Sequence, residues 1–271
     1  MNITKLYVTG DTHGAVAARV ELLLSEHPTM VPEETALFIL GDAGLNYYLG
    51  KRDKKHQREV EAKGVYVYCV HGNHEERPKN IPGMELVHDE FVNGAVWIDK
   101  NFPHIRYFTD WGIYTVMGKR MLVIGGAYSV DKFYRLQNDF NWFPSEQLTD
   151  YEMRACSYST EGRIFDLVLS HTCPLSFQPT DLFLGCIDQS TVDNTMEKWL
   201  ERLKDKINWN IWLYGHYHAD RIEAPHVEQF YWEYESFDKI FERWSRYDKT
   251  GELDWWLPLS PKMKRIMEEK K

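Results

Sequence analysis

The stretch YVYCVHGNHEERP, from Tyr66 to Pro78, changes character at its middle. Its first half is apolar and rich in aromatic and β-branched residues, which is typical of a buried strand. Its second half places Gly72, Asn73, His74 and Glu75 directly after that strand. Amide, imidazole and carboxylate groups serve as metal ligands and proton-transfer groups. The stretch therefore predicts a core strand that ends at a chemical site.

Other short apolar runs have the same strand-like composition. The predicted strands are Ile3 to Thr9, Ala36 to Leu40, Val65 to Val70, Met121 to Ile124, Asp166 to Leu169 and Asn210 to Tyr214. The predicted helices are Ala15 to Glu26, Asp53 to Lys63, Ser145 to Cys156 and Ser190 to Ile207, the last with a Ser190/Asp193 capping box. Strands that alternate with helices and are apolar on both faces predict an α/β or layered α+β fold.

Five of the predicted strands end at a loop that carries potential metal ligands. The loops are GDTHG at 10–14, GD at 41–42, GNHE at 72–75, SHT at 170–172 and GHYH at 215–218. Ligands of open α/β sheets bind beyond the carboxyl ends of the strands, so the five loops are expected to converge. Seven donors with no thiolate suit two borderline divalent ions, which can clamp a phosphoryl oxygen and activate a water.

This ordered set of motifs resembles the calcineurin-like metallophosphoesterase family. The resemblance implies a two-sheet β-sandwich flanked by helices, with a dinuclear metal site at the carboxyl ends of the strands. It also implies metal-dependent hydrolysis of a phosphate ester. The implied ligands are Asp11, His13 and His218 for one metal, Asn73, His171 and His216 for the other, and Asp42 as the bridge.

The resemblance further implies two catalytic residues. Asp42 holds both metals, and a hydroxide that bridges the metals attacks phosphorus. His74 binds no metal and either donates a proton to the leaving oxygen or stabilises the developing charge.

The second motif departs from the family pattern. Many members have GDxxD followed by Arg, whereas this chain has Leu45 and Asn46 at those two places. In the phosphoprotein phosphatase branch of the family, that Asp orients the catalytic histidine and that Arg binds phosphate, so both groups are missing here from their usual places. Asn46 is a candidate partner for His74, and Arg77 and Arg135 are candidate substrate-binding cations.

The composition of the chain limits the class of substrate that it is expected to bind. The formal net charge of -9 and the pI near 5.7 argue against a broad basic face for nucleic acid. A small molecule or nucleotide is therefore the preferred substrate, as a phosphomonoester or a phosphodiester. Mn is the first choice for the two divalent ions, with Fe, Zn, Ni and Co as alternatives. The alternative functions are a catalytically silent scaffold that binds proteins and a nuclease that acts on nucleic-acid ends.

Residues 1–271 are expected to form a single domain with an aromatic C-terminal region from about 225 to 271. VEQFYWEYESF alternates as a strand does, and FDKIFERW has helical spacing. This region is expected to complete the sheet or to form an interface in a homo-oligomer, with a frayed charged end. No apolar run approaches the ~20 residues of a membrane span, and the first residues do not resemble a signal peptide. The expected compartment is the cytoplasm, with reduced cysteines.

Overall fold

The computed structural model describes residues 2–253 and 257–269. Within them the strands are β1 (Lys5–Thr9), β2 (Thr35–Ile39), β3 (Tyr66–Cys69), β4 (Met84–Asp89), β5 (Gly94–Asp99), β6 (Ile105–Phe108), β7 (Trp111–Val116), β8 (Lys119–Ile124), β9 (Ile164–Ser170), β10 (Asn208–Tyr214), β11 (Arg221–Ala224), β12 (Val227–Gln229) and β13 (Tyr234–Ser236). The helices are α1 (Val16–Glu26), α2 (Lys51–Glu61), α3 (Lys132–Gln137), α4 (Asp150–Thr160), α5 (Thr195–Lys204), α6 (Phe237–Thr250) and α7 (Pro261–Glu269).

The strands form two mixed sheets. The first has the order β13-β1-β2-β3-β6-β5-β4 and the second has the order β11-β12-β10-β9-β8-β7. The inner strands β1, β2, β3 and β6 run parallel, and so do β12, β10, β9 and β8. The predicted fold class, two sheets flanked by helices, is confirmed.

Alternate residues of each strand enter different cores. Val8 and Phe38 of the first sheet pack with Leu213 of the second in the core between the sheets. Their neighbour Leu37 lies in the core beneath α1 and α2, and Trp212 lies in the core beneath α4 and α5. Because both faces of the inner strands β1, β2 and β3 are buried, these strands are apolar rather than alternating.

All six predicted strands are present, with ends shifted by one or two residues, but the predicted start of α5 is wrong. α5 begins at Thr195, because Ser190 belongs to a separate 3-10 turn. The Asp193 carboxylate accepts hydrogen bonds from the backbone N–H and the hydroxyl of Thr195. The capping box lies instead on α4, between Thr149 and Glu152.

The aromatic segment after Ala224 forms two strands where the sequence predicts one. β12 pairs with β10 in the second sheet, and β13 pairs with β1 in the first sheet. The chain crosses between the sheets at Tyr231, Trp232 and Glu233, whose backbone N–H groups donate to the Asp220 carboxylate. A period-two pattern records exposure but not which sheet a strand joins, so it could not predict this crossing.

The aromatic side chains of α6 pack in the core, as their spacing predicts. Phe237, Ile240 and Trp244 are buried between the sheets. The final segment is helix α7 rather than a frayed end, because Met263 is buried in the same core. Trp255 and Trp256 lie outside the described residues, and an oligomer interface in this region stays a prediction. In the described part of the chain, every helix is too short or too polar to cross a bilayer.

Candidate metal centre

The loops that follow β1, β2, β3, β9 and β10 meet at one edge of the sandwich. The backbone N–H of His13 donates to the Asp42 carbonyl at 2.8 Å, and that of Gly215 donates to the His171 carbonyl at 3.0 Å. His171 Nδ1 lies 2.8 Å from the Leu40 carbonyl, which joins a loop of the second sheet to a strand end of the first. The site therefore lies where the two sheets adjoin.

Three predicted ligands form one cluster. His13 Nε2 and His218 Nε2 lie 2.9 Å apart. Asp11 Oδ2 lies 3.4 Å from the His218 nitrogen and 4.0 Å from the His13 nitrogen. The donor atoms of these residues all lie within 4.8 Å of one another, so they can hold one ion.

The remaining predicted ligands lie beside this cluster, around Asp42. His171 Nε2 is 2.8 Å from Asn73 Oδ1 and 3.6 Å from Asp42 Oδ2. The His216 ring lies 5.0 Å from the His171 ring, centroid to centroid. Asp42 belongs to two groups of possible metal donors. One also contains Asp11 and His171, and the other also contains His13 and His74. The seven predicted ligands thus lie near one another, and Asp42 is close to members of both sets.

The charge of this site fits divalent cations. The Asp11 and Asp42 side chains are 0% and 1% exposed, and the ion-pairing groups within 4.0 Å of them in the described chain are all imidazoles. Burial alone would raise the pKa of Asp42, but the imidazoles of His171, His74 and His13 outweigh it and lower that pKa. Buried carboxylates without a cation are costly. Oxygen and imidazole donors match ions such as Mn or Zn.

Four of the seven predicted ligands have left-handed backbone conformations. These are His13 (φ 45°), Asp42 (φ 48°), His216 (φ 68°) and His218 (φ 50°). Such a conformation costs a residue other than glycine about 1–2 kcal/mol, and such residues cluster at functional sites. The folded protein therefore maintains locally unfavourable backbone geometry at this site.

Motif glycines allow the ligands to approach the backbone. A Cβ at Gly41 would lie 2.0 Å from His171 Nδ1, and one at Gly72 would lie 1.9 Å from Asp42 Oδ1. The conformation of Gly41, with φ of +110°, is also one that other residues rarely adopt. The glycines before the ligands are required by close packing.

His74 lies at the rim of the two clusters. Its backbone N–H donates to Asp42 Oδ1 at 2.7 Å, and its side chain is 28% exposed. Burial lowers the pKa of His74, although the Asp42 carboxylate opposes that shift. Its Nε2 lies 3.9 Å from Asp131 Oδ1, in the loop that follows β8.

The expected partner of His74 is not where the sequence hypothesis placed it. Asn46 Oδ1 accepts from Gln57 Nε2 at 3.3 Å and from the Tyr107 hydroxyl at 3.4 Å, so this side chain binds into the core. Leu45 is fully buried in the core beneath α1 and α2. Asn46 is corrected from a site residue to a buried structural residue.

Arg77 also lies outside the site. Its guanidinium is 3% exposed and binds Asp110 at 3.1 Å, Glu152 at 2.8 Å and the Ser145 carbonyl at 2.7 Å. These contacts join the GNHE loop to the start of α4. The prediction that Arg77 binds substrate is wrong, because its donors are occupied by this buried network.

Arg135 remains beside the site. Its Nη1 donates to Ser129 Oγ at 3.3 Å, and the same oxygen accepts from Asn73 Nδ2 at 2.8 Å. Its Nη2 is buried without a hydrogen-bond partner among the described residues. Asp131 Oδ1 has none there either and lies 3.9 Å from Arg135 Nη1. The loop after β8 thus contributes Ser129 and Asp131, and helix α3 that follows it contributes Arg135.

Sequence reasoning missed Ser129, Asp131 and Glu75. The abrupt Gly125-Gly126 turn after β8 marked the first two only as part of a possible wall. Glu75 is the last residue of GNHE and is buried, with Oε1 accepting from the Gly72 N–H at 3.3 Å. Burial and the Asp42 charge raise the pKa of Glu75 to about 8.

The calcineurin-like phosphoesterase family model matches residues 4–220, which is about four fifths of the chain. The chain therefore belongs to the calcineurin-like phosphoesterase family, and it is a metal-dependent phosphoester hydrolase. The family resemblance given by the motifs is confirmed. The comparison with curated proteins gives no match.

Several solved structures are distantly similar. A protein of unknown function, AQ665 from Aquifex aeolicus, is 13% identical with a TM-score of 0.40, over 88% of this chain and 98% of that one. The phosphopantetheinyl hydrolase of Mycobacterium tuberculosis is 15% identical with a TM-score of 0.40, over 94% of each chain. A novel archaeal phosphodiesterase is 8% identical with a TM-score of 0.31, over 64% of this chain and 74% of that one.

The Gly41→Ala substitution tests the packing of the site. We expect it to lower the free energy of unfolding by more than about 2 kcal/mol, because the new methyl group would overlap the His171 ring. The control is Gly162→Ala, which has φ of +70° but no atom within 4 Å of its Cβ. It should cost only about 1 kcal/mol. Urea unfolding of both variants measures the difference, and equal losses would contradict the overlap.

Arg77→Met tests the structural role of that arginine. We expect a loss of about 3 kcal/mol of unfolding free energy, because Asp110 and Glu152 lose a buried partner. Lys79 binds the same two carboxylates but is 36% exposed, so Lys79→Met should cost under about 1 kcal/mol. Turnover per folded molecule should change in neither variant. A raised KM with unchanged stability in Arg77→Met would instead support the prediction that Arg77 binds substrate.

Proposed function

We propose that this protein hydrolyses a phosphomonoester or phosphodiester of a small molecule or nucleotide, with two divalent ions, Mn being the first choice. The observation that carries the proposal is that the buried Asp42 carboxylate lies within 4.8 Å of donor atoms from both predicted ligand sets, His13 of one and His171 of the other. Asp11, His13 and His218 would hold one ion. Asn73, His171 and His216 would hold the other.

The bound ions would polarise a phosphoryl oxygen and lower the pKa of an attacking water. The chain supplies the remaining functions. Asp42 lies between the clusters, and the backbone N–H of His74 fixes one of its oxygens at 2.7 Å. Ser129 fixes the amide of Asn73 at 2.8 Å, which leaves the carbonyl oxygen of Asn73 facing His171.

His74 would protonate the leaving oxygen. Its side chain is partly exposed at the rim, within 5.3 Å of the His13 ring, centroid to centroid. Burial favours its neutral form, and a nearby carboxylate favours the charged form that can donate a proton. General acid catalysis of this kind contributes about 10²–10⁴-fold to rate.

Asp131 would orient His74 in place of the missing carboxylate. Leu45 is buried in the core, and Asp131 Oδ1 lies 3.9 Å from His74 Nε2 with no hydrogen-bond partner among the described residues. Arg135, whose Nη2 is also unpartnered there, would bind a phosphate oxygen. The loop after β8 and the start of α3 would thus replace two functions that other family members place after the second motif.

A small substrate is favoured over a polymer. The net charge of -9 opposes the binding of a long polyanion. Beside the clusters, the described geometry places the guanidinium of Arg135, which suits a single phosphate group. The same argument disfavours the alternative of a nuclease.

Asp42→Ala and His74→Ala should separate metal binding from proton transfer. We expect Asp42→Ala to lose bound Mn and activity, because that carboxylate lies close to donors of both predicted ligand sets. His74→Ala should keep its Mn and lose about 10²-fold or more in kcat. Metal analysis and turnover on mono- and diesters with Mn, Ni, Fe and Zn measure both. Equal metal loss in the two variants would contradict these roles, and a wild-type protein that binds no divalent ion would overturn the function.

Asp131→Asn should slow the hydrolysis of esters with poor leaving groups more than the hydrolysis of esters with good leaving groups. A misoriented acid matters little when the leaving oxygen needs no proton, so we expect about a tenfold loss in kcat for phenyl phosphate and little loss for 4-nitrophenyl phosphate. Asp131→Glu should restore part of the difference, and Mn content should not change. The matched control is Asp139→Asn, on the exposed turn after α3. Equal losses on both esters would show that Asp131 does not act through His74.

A further inference from the structure

A small cavity opens beside the metal centre and has no role in the chemistry described above. Its volume is about 130 Å³, and its lining includes His216 of the second cluster. The loop after β9 and the start of α5 form one wall, and the loop after β8 forms another. Because His216 belongs to both the cavity and the cluster, a molecule bound at the metals extends naturally into this space.

The cavity is lined mainly by apolar and aromatic side chains. Tyr128, Phe183 and Tyr217 face it together with Leu182 and Val192. The Phe183 and Tyr217 rings are nearly parallel, with centroids 6.1 Å apart and 20° between their planes. Flat aromatic walls favour a planar ligand, because rings stack on rings.

The charges of the lining exclude an anion. Asp193 and Glu197 belong to the lining, and none of the described residues that line the cavity is Lys or Arg. A second phosphate or a carboxylate placed here would meet the Asp193 carboxylate, with no Lys or Arg in the lining to offset it. The cavity therefore suits the uncharged part of a substrate, and not a further phosphate of a polyphosphate chain.

The size of the cavity limits the group to about one ring system. Pockets for drug-sized ligands usually have volumes of about 300–1,000 Å³, so this cavity is smaller than such a pocket. A polymer or a long acyl chain would not fit within it. The side-chain amides of Gln178 and Gln189 add hydrogen-bonding groups at its wall.

We propose that this cavity binds the non-phosphate group of the substrate, and that this group is an uncharged planar ring such as a phenyl ring or a nucleobase. The inference rests on the proposed phosphoester hydrolysis, because the phosphate must lie at the metals for the ring to reach the cavity. It specifies the substrate class beyond "small or nucleotide": a monoester with an aromatic group and no second anionic group.

The test compares three alkyl phosphates whose leaving oxygens are all primary alkoxides. The Mn-loaded protein should have a kcat/KM at least tenfold higher for benzyl phosphate than for ethyl phosphate. It should discriminate at least tenfold against 4-carboxybenzyl phosphate relative to benzyl phosphate. Phe183→Ala should reduce the benzyl-to-ethyl ratio toward one, and Asp193→Asn should weaken the discrimination against the carboxylate. The control Tyr158→Ala, on α4 with a side chain 87% exposed, should change neither ratio.

A binding measurement separates this inference from the proposed function. Benzylphosphonate and ethylphosphonate have no ester bond, and calorimetric titration of the Mn-loaded protein gives their affinities without turnover. Tighter binding of benzylphosphonate, with no ester hydrolysed, would support the cavity and overturn the function. Equal binding of the two phosphonates, or a benzyl preference that survives Phe183→Ala, would overturn the cavity assignment whether or not esters are hydrolysed.

Discussion

Asp11 and Asp42 are carboxylates buried at the edge where two β-sheets meet, and the surrounding structure depends on balancing their charge. Among the described residues, no lysine or arginine lies within 4.0 Å of them; the groups within that distance are imidazoles. Desolvation of an uncompensated carboxylate costs several kcal/mol. Such a site is stable when cations are bound, so the protein's metal dependence follows from how its fold buries these acids.

That burial follows from strand direction. Parallel strands present their carboxyl ends at one edge, and in this fold two such sets adjoin, so loops from both sheets reach the same place. The contact of His171 Nδ1 with the Leu40 carbonyl, at 2.8 Å, crosses from one sheet to the other. The glycines of the motifs make this approach possible, and the left-handed conformations at four ligands are maintained by the packing around them. The same close packing leaves little room for change in the motifs.

The predicted ligands all come from the five motif loops, whereas the residues around the metal centre come from several other parts of the chain as well. The second motif lacks the usual carboxylate and arginine. The loop after β8 places Asp131 near His74, and α3 places Arg135 near Ser129, which binds Asn73. The two arginines suggested by the sequence illustrate the difference between proximity along the chain and proximity in space. Arg77 follows His74 by three residues, yet its guanidinium binds Asp110 and Glu152 away from the site. Arg135 is sixty-one residues away from His74 along the chain and lies beside the site.

The sequence by itself determined the fold class, the family and which seven residues converge. Each of these depends on a local pattern: an apolar strand, then glycine, then a ligand, repeated in order along the chain. The tertiary structure alone decided the split of one aromatic segment between two sheets, the inward turn of Asn46, the buried network of Arg77 and the approach of Asp131 to His74. These features depend on contacts between residues far apart in the chain, and periodicity or spacing along the chain does not record which distant groups will be neighbours.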